Sequence, residues 1–523
     1  MVDATPTVPR MVVALVKRYV LELTVFVCGA VVMVYEIIGS RLVSPFIGTS
    51  TYVWTSLIGV ILVSLSLGYW LGGKVADRSP EVKILAIVVF IAAGLVSMTI
   101  LIKDLVLAAI ASTPTGLEVK SIFAAILLFA PASVALGFVT PLAIRLKMTA
   151  IKDSGSTVGR LYALSTIGSI AGTFAAGFVL VPFVGSTRTL YLIAGVLFLI
   201  SLLLAPFALS RTTFSVLIVF ALGIMGTELT SYYQLRTAGM RDIDTEYSRV
   251  QIFQTTDTRT GRPMRAMMTD PHFVQSVIYL DGEDLFARYT HFYHLLRHLR
   301  PGFQNSLMIG GAGYSFPQDY LRNYPEATID VVEIDPAMTD IAREHFRLRE
   351  NARLKIFHED GRVFLNRAAT GSYDAVLMDA FGSLFSVPHH LTTVEAVRQI
   401  ERVLDPEGVV ILNIGSALTG DSSRFLQAEL ATYKSVFPVV HVFKVNLDYT
   451  DERTQNVMIV ACKTECSIAP NGVPVDSEIS RLLSHRYAAE IQLGVPVLTD
   501  DLSPVEYYNS FAQGQYRREK GRR

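Results

Sequence analysis

The chain has 523 residues, of which 51% are hydrophobic and 18% charged, with a mean hydropathy of +0.41. Soluble domains carry about 25% charged residues, so the average excludes a chain that is soluble along its whole length. Basic and acidic side chains number 46 each, and this zero balance argues against a nucleic-acid binder, which carries a basic excess.

The apolar content is concentrated at the front. Residues 1–231 hold 15 basic and 9 acidic side chains, and residues 232–523 hold 31 and 37. Apolar runs of spanning length are predicted at 20–38, 55–73, 84–102, 121–142, 161–183, 190–209 and 213–231, which makes about seven membrane helices. A weak run at 105–110 is a candidate for a re-entrant piece. Gly168, Gly172, Ala175, Ala176 and Gly177 predict a small-residue face suited to close helix packing. Glu22, Glu36 and Glu228 fall in or at these runs, where an unpaired carboxylate is costly. Eleven of the 15 basic residues share the N-terminal face when the loops alternate, which puts the N-terminus in the cytoplasm. Seven crossings would then carry the second half outside. The chemistry below needs a cytosolic metabolite, so the expectation is an inner-membrane, multi-pass protein with a cytoplasmic second half. That requires an extra crossing or a run that does not span.

From Asp242 the hydrophobic period changes. Residues 246–281 read as short strands with a turn at 259–263, so 232–285 form a linker and small β element. A helical stretch at 285–299 precedes strands at 306–309, 328–332, 353–357, 373–378, 409–413, 439–445 and 456–461. Five βα units followed by a late strand pair predict a methyltransferase-like Rossmann domain over 286–523.

Ligands of open α/β sheets bind at the carboxyl ends of the strands. The first strand of this domain ends in Gly310-Gly311-Ala312-Gly313, small enough for a nucleoside to approach the backbone. Glu333 ends the second strand, 22 residues after Gly311, the distance at which an acid reaches ribose hydroxyls. Asp360-Gly361 follows the third strand and suits an adenine amino group. Asp379 ends the fourth, where a reacting group would sit. Four such features at successive strand ends point to an adenosyl cofactor.

These residues resemble the spermidine synthase (polyamine aminopropyltransferase) family, and the whole chain looks like its membrane-fused members. The resemblance is carried by Glu246-Tyr247-Ser248-Arg249-Val250-Gln251, the 310–313 loop, Val332 to Asp335, Asp360-Gly361, Asp379 to Gly382, and Val387-Pro388-His389-His390-Leu391-Thr392-Thr393. It implies cofactor or substrate contacts by Gln251 and Gln275, and backbone contacts by Gly310, Gly311 and Gly313. It further implies a ribose contact by Glu333, an adenine contact by Asp360 with Gly361, and a catalytic base at Asp379. The implied reaction transfers an aminopropyl group from decarboxylated S-adenosylmethionine to a polyamine such as putrescine, at a membrane and without a metal. Soluble relatives oligomerise, so self-association is an expectation without a count.

Two departures stand out. The soluble enzymes carry an aspartate where this chain has Gly313, and a second catalytic-motif aspartate where it has Gly382. Those acids hold cationic amines, and Asp284 or Glu395 would have to compensate. One alternative keeps the fold and uses intact S-adenosylmethionine for methyl or carboxyaminopropyl transfer. Another is a membrane transporter or sensor that binds a nucleoside without turnover. His291, His294 and His298 share a helical face, and Cys462 and Cys466 have an isolated spacing. The histidines read as packing and surface polarity, and the cysteines as a pair that binds no zinc.

Overall fold

A computed structural model describes residues 8–47, 50–113, 115–148, 154–205, 239–270, 273–380, 387–466 and 476–520, with isolated positions between 218 and 233. The chain divides into two units, Met1–Gln234 and Leu235–Arg523.

The first unit is helical: α1 (Val8–Ile47), α2 (Thr51–Arg78), α3 (Val82–Ala111), α4 (Leu117–Leu128), α5 (Ala130–Gly137), α6 (Val139–Lys147), α7 (Ser154–Ala175) and α8 (Ser186–Leu204). A π-helical stretch, Ala176–Val184, extends α7. Five helices are long and apolar enough to cross a membrane, and α4 with α5–α6 makes a sixth candidate bent by 51°. The run at 105–110 is no re-entrant piece, because α3 continues through it. The run at 213–231 lies mostly outside the described residues. The bend falls at Pro131, which brings no backbone N–H. The Leu128 carbonyl at this break accepts from the Tyr35 hydroxyl at 2.8 Å and from Thr99 Oγ1 at 2.9 Å. Two neighbouring side chains thus satisfy the carbonyl at the break.

Small residues let α7 lie directly on α1. A Cβ at Gly168 would stand 2.0 Å from the Phe26 carbonyl oxygen, and one at Gly172 would stand 2.3 Å from that of Ala30. Ala176 is also buried in the helical core, whereas Gly177 meets nothing within 4 Å. Glu22 is neutralised by Lys147 at 2.7 Å, with Arg160 at 3.7 Å.

The second unit begins with an antiparallel sheet of β1 (Arg241–Asp244), β2 (Arg249–Thr256), β3 (Pro263–Asp270) and β4 (Phe273–Tyr279). A 3₁₀ stretch (Arg288–Leu295) and a short α9 (Leu296–Leu299) lead into the main domain. Its strands are β5 (Asn305–Ile309), β6 (Thr328–Val332), β7 (Leu354–Phe357), β8 (Tyr373–Met378), β9 (Leu404–Ser416), β10 (Val439–Lys444) and β11 (Gln455–Cys462). Between them run α10 (Ser315–Asn323), α11 (Pro336–His345), α12 (Gly361–Arg367), α13 (Val394–Val403) and α14 (Arg424–Lys434), with α15 (Ser477–Leu483) and α16 (Val505–Lys520) last.

The sheet order is β10-β11-β9-β8-β5-β6-β7. The strands from β9 to β7 are parallel, and β11 pairs antiparallel with both β9 and β10. This mixed sheet is a methyltransferase-type Rossmann fold. Met308, Val331, Leu377 and Ile411 pack on one face, and Leu307, Val332, Val376 and Val410 on the other. Burial on both faces explains why these strands read as continuous apolar runs. The chain leaves β5 toward β6 and returns on its other side as β8, so the topological switch point lies between β5 and β8. Cys462 and Cys466, expected only to be free of zinc, are joined in a disulfide.

Candidate active site

The turn after β5 is shaped by close approach. Gly310 has a φ of 98°, and a Cβ there would meet the Asp379 carbonyl oxygen at 2.7 Å. Only glycine fits a left-handed backbone pressed against another strand end. Ala312 and Tyr314 also take positive φ, at 43° and 53°, a strained choice for residues with a Cβ. The turn aims the Gly311 and Ala312 N–H groups at Glu333, whose Oε2 accepts both at 2.9 Å. The other oxygen, Oε1, accepts from the Asp335 N–H at 3.0 Å. A carboxylate offers about four acceptor positions, so Glu333, with three of them filled, has capacity for one further donor.

Asp335 ties this edge to the small sheet. Its Oδ1 caps α11 through the Ala337 N–H, and its Oδ2 accepts from Thr245. The Glu246-Tyr247-Ser248 segment therefore lies beside the end of β6. Asp360 caps α12 through the Arg362 and Val363 N–H groups at 2.8 and 3.1 Å, and its free oxygen meets His390 Nε2 at 2.9 Å.

Asp379 stands at the end of β8, where its N–H donates to the Ile309 carbonyl at 2.9 Å. Asn413, at the carboxyl end of β9, donates to its Oδ1 at 3.1 Å, and the Tyr289 hydroxyl donates to its Oδ2 at 3.1 Å. Asn456 of β11 in turn donates to Asn413 at 3.0 Å, which orients that amide. Burial disfavours the carboxylate and pushes the Asp379 carboxyl up to about 7, even though Asn413, Tyr289 and Tyr293 favour the charged form. Tyr289 and Tyr293 are themselves held well above the ordinary phenol range, by burial first and the Asp379 charge second. They remain protonated donors. A carboxyl poised near neutrality in a cavity is suited to accept a proton at working pH.

Gln275, Ser276, Tyr289, Gly310, Gly311 and Asp379 line one cavity. Gly313 abuts it, its N–H donating to Ser276 Oγ at 3.0 Å. Of the remaining expected site residues, Gly361 opens α12 behind Asp360. Gln251 is not among the cavity's lining residues; its amide donates to Asp242 Oδ2 at 3.3 Å on the neighbouring strand. Gly382 lies outside the described residues. The two acids expected to compensate are engaged elsewhere: Asp284 pairs with Arg262 at 2.9 Å, and Glu395 accepts the Asp500 N–H at 3.0 Å. His291 meets Glu478, while His294 meets Asp319 and Tyr324. Sequence reasoning missed Tyr289, Asn413 and Ser276. A polar Asn413 ending the apolar run Val409-Val410-Ile411-Leu412 was a readable signal.

Residues 286–468 match the family model described as "Spermine/spermidine synthase domain". The C-terminal part carries a spermine/spermidine synthase domain. This synthase domain is similar to the polyamine aminopropyltransferase of Vibrio vulnificus, 32% identical over 176 residues. That match covers 33% of this chain and 57% of the relative, so the chain spans less than two thirds of that protein's length. Polyamine aminopropyltransferase 1 of Streptomyces coelicolor is 24% identical over 438 residues, 76% of each chain, a length that reaches beyond the synthase domain into the helical unit. Among solved structures, a probable spermidine synthase from Corynebacterium glutamicum covers 53% of this chain and 94% of its own, with 23% identity and a TM-score of 0.40.

Proposed function

We propose that the chain is a membrane-bound aminopropyltransferase, taking its donor from decarboxylated S-adenosylmethionine and passing the group to an amine, with putrescine as the reference acceptor. The observation that carries the proposal is Asp379, a carboxyl at about 7 sharing one cavity with the glycine turn and Gln275. The membership of residues 286–468 in the synthase domain supports the choice of chemistry.

In this reading the nucleoside lies along the sheet edge. The turn at 310–313 admits it, the remaining acceptor position of Glu333 takes a sugar hydroxyl, and Asp360 beside Gly361 faces the base. Gln275 lies nearer the reacting centre. An acceptor amine in water is an ammonium and has no lone pair to attack. Asp379 takes its proton, directly or through water, once the amine sits in line with the electrophilic carbon. The new N–C bond forms as the C–S bond breaks. The electron pair stays on sulfur, and neutral methylthioadenosine leaves. No step calls for a metal.

One observation favours intact S-adenosylmethionine as a rival donor. A Cβ at Gly313 would lie 2.7 Å from Ser276 Cβ, so the place of the acid that holds a donor ammonium in the soluble enzymes is filled. The deciding experiment offers both donors to the full-length protein in detergent, with putrescine, and identifies the nucleoside product. Methylthioadenosine released from the decarboxylated donor, and lost in Asp379→Asn, is expected. Turnover with the intact donor alone would replace this reading with its rival.

A further inference from the structure

The cavity that holds Asp379 is poor in charge. Among the described residues lining it, Asp379 is the sole carboxylate. Its wall beyond that carboxylate combines apolar Val277, Leu285, Phe286, Ala287, Phe316 and Pro317 with the uncharged hydroxyls of Ser276, Tyr289, Thr290 and Ser315. Gln275, also in the lining, ends in a neutral amide. The nearest acids in sequence are already neutralised, Asp284 by Arg262 at 2.9 Å and Glu283 by Arg322 at 3.6 Å. At 313 the space for an acid is occupied by Ser276.

A diamine brings two ammonium groups. The reacting one gives its proton to Asp379, but the far one stays charged. Moving that charge from water onto a wall whose described residues offer neutral dipoles but no second carboxylate is unfavourable. An apolar tail on the same wall gains from burial instead. We infer that the acceptor is an amine with a single cationic group and an apolar body, an alkyl or aralkyl monoamine, and not a diamine. The inference rests on the transferase reading above and narrows its substrate.

Butylamine and putrescine share a four-carbon chain and differ by the far amine, so they isolate the point. With full-length protein and decarboxylated S-adenosylmethionine, kcat/KM for butylamine is expected to exceed that for putrescine at least ten-fold, and phenethylamine should also be used. Ala287→Asp adds a carboxylate to the wall at the residue preceding the 3₁₀ stretch, a capping position where aspartate is well tolerated. It should shift the ratio toward putrescine at least ten-fold. Putrescine preferred by the unaltered protein, or a ratio unmoved by Ala287→Asp, overturns the inference and leaves aminopropyl transfer standing. If no amine yields methylthioadenosine, the transferase reading fails. Equilibrium binding of butylamine against putrescine to the methylthioadenosine-loaded protein then decides the inference alone: tighter butylamine upholds it, and tighter putrescine overturns it.

Discussion

At Asp379, burial and hydrogen bonding pull in opposite directions, and burial prevails, leaving the carboxyl at about 7. As a base it must be ionised, so kcat/KM should rise with pH through about 7 and level off above it. Asp379→Asn should remove the rise and lower turnover about 10²–10⁴-fold, the usual worth of a general base; a profile unchanged in that variant would exclude the role. Asn413→Ala removes a hydrogen bond that favours the charged form, so the midpoint of the profile should move to higher pH. The same carboxyl has a stability signature. Its folded pKa stands above the unfolded value of about 3.9, so the fold prefers it protonated. That contribution is present below about pH 4 and is lost as pH climbs toward 7. Thermal melts should therefore show Asp379→Asn gaining on the parent between pH 5 and pH 8, by about 1.4 kcal/mol per unit of pKa difference at most. Asp379 was legible because it ends an apolar strand. Tyr289 was not, because it lies on a 3₁₀ stretch whose side-chain directions the helical period does not predict.

The elements were legible wherever burial imposes a pattern. The central strands β5, β6, β8 and β9 of the main sheet show as apolar runs because both faces are covered, and Pro131 stands at the bend between α4 and α5. The role of Glu333 was less accessible. Two of its three backbone partners belong to a turn in which Ala312 and Tyr314 take positive φ, a conformation that neither residue type advertises. Gly313→Asp alone should weaken methylthioadenosine binding at least ten-fold in calorimetry, because its side chain collides with Ser276 and disturbs the turn. Adding Ser276→Gly removes the nearest contacts and should restore most of the affinity; equal loss in both variants would show that the obstruction lies elsewhere. In the helical unit, Gly168→Leu places a side chain against the Phe26 carbonyl. It should separate α7 from α1 and cost on the order of 1–3 kcal/mol, the range for overpacking, read as a lowered melting midpoint in detergent.

For the whole molecule the open quantity is the face on which the synthase domain lies. The basic residues of the first unit favour a cytoplasmic N-terminus, and the six candidate crossings among the described residues are an even number. Were 213–231 not to cross, both termini would share the cytoplasm, the side on which the proposed nucleoside donor is expected. A reporter fused after Arg523 that works only in the cytoplasm should then be active, and one that works only outside should be silent. The Cys462–Cys466 disulfide pulls the other way, since such bonds persist in oxidising compartments. Because Cys462 is buried, acid quenching of cells followed by alkylation under denaturing conditions and mass analysis reads it directly. On the cytoplasmic face both thiols should be reduced and labelled. An active external reporter together with unlabelled cysteines would mean that 213–231 also crosses. The synthase domain would then be cut off from a cytosolic sulfonium donor, and the proposed aminopropyl transfer would fail on access, whatever the geometry of Asp379.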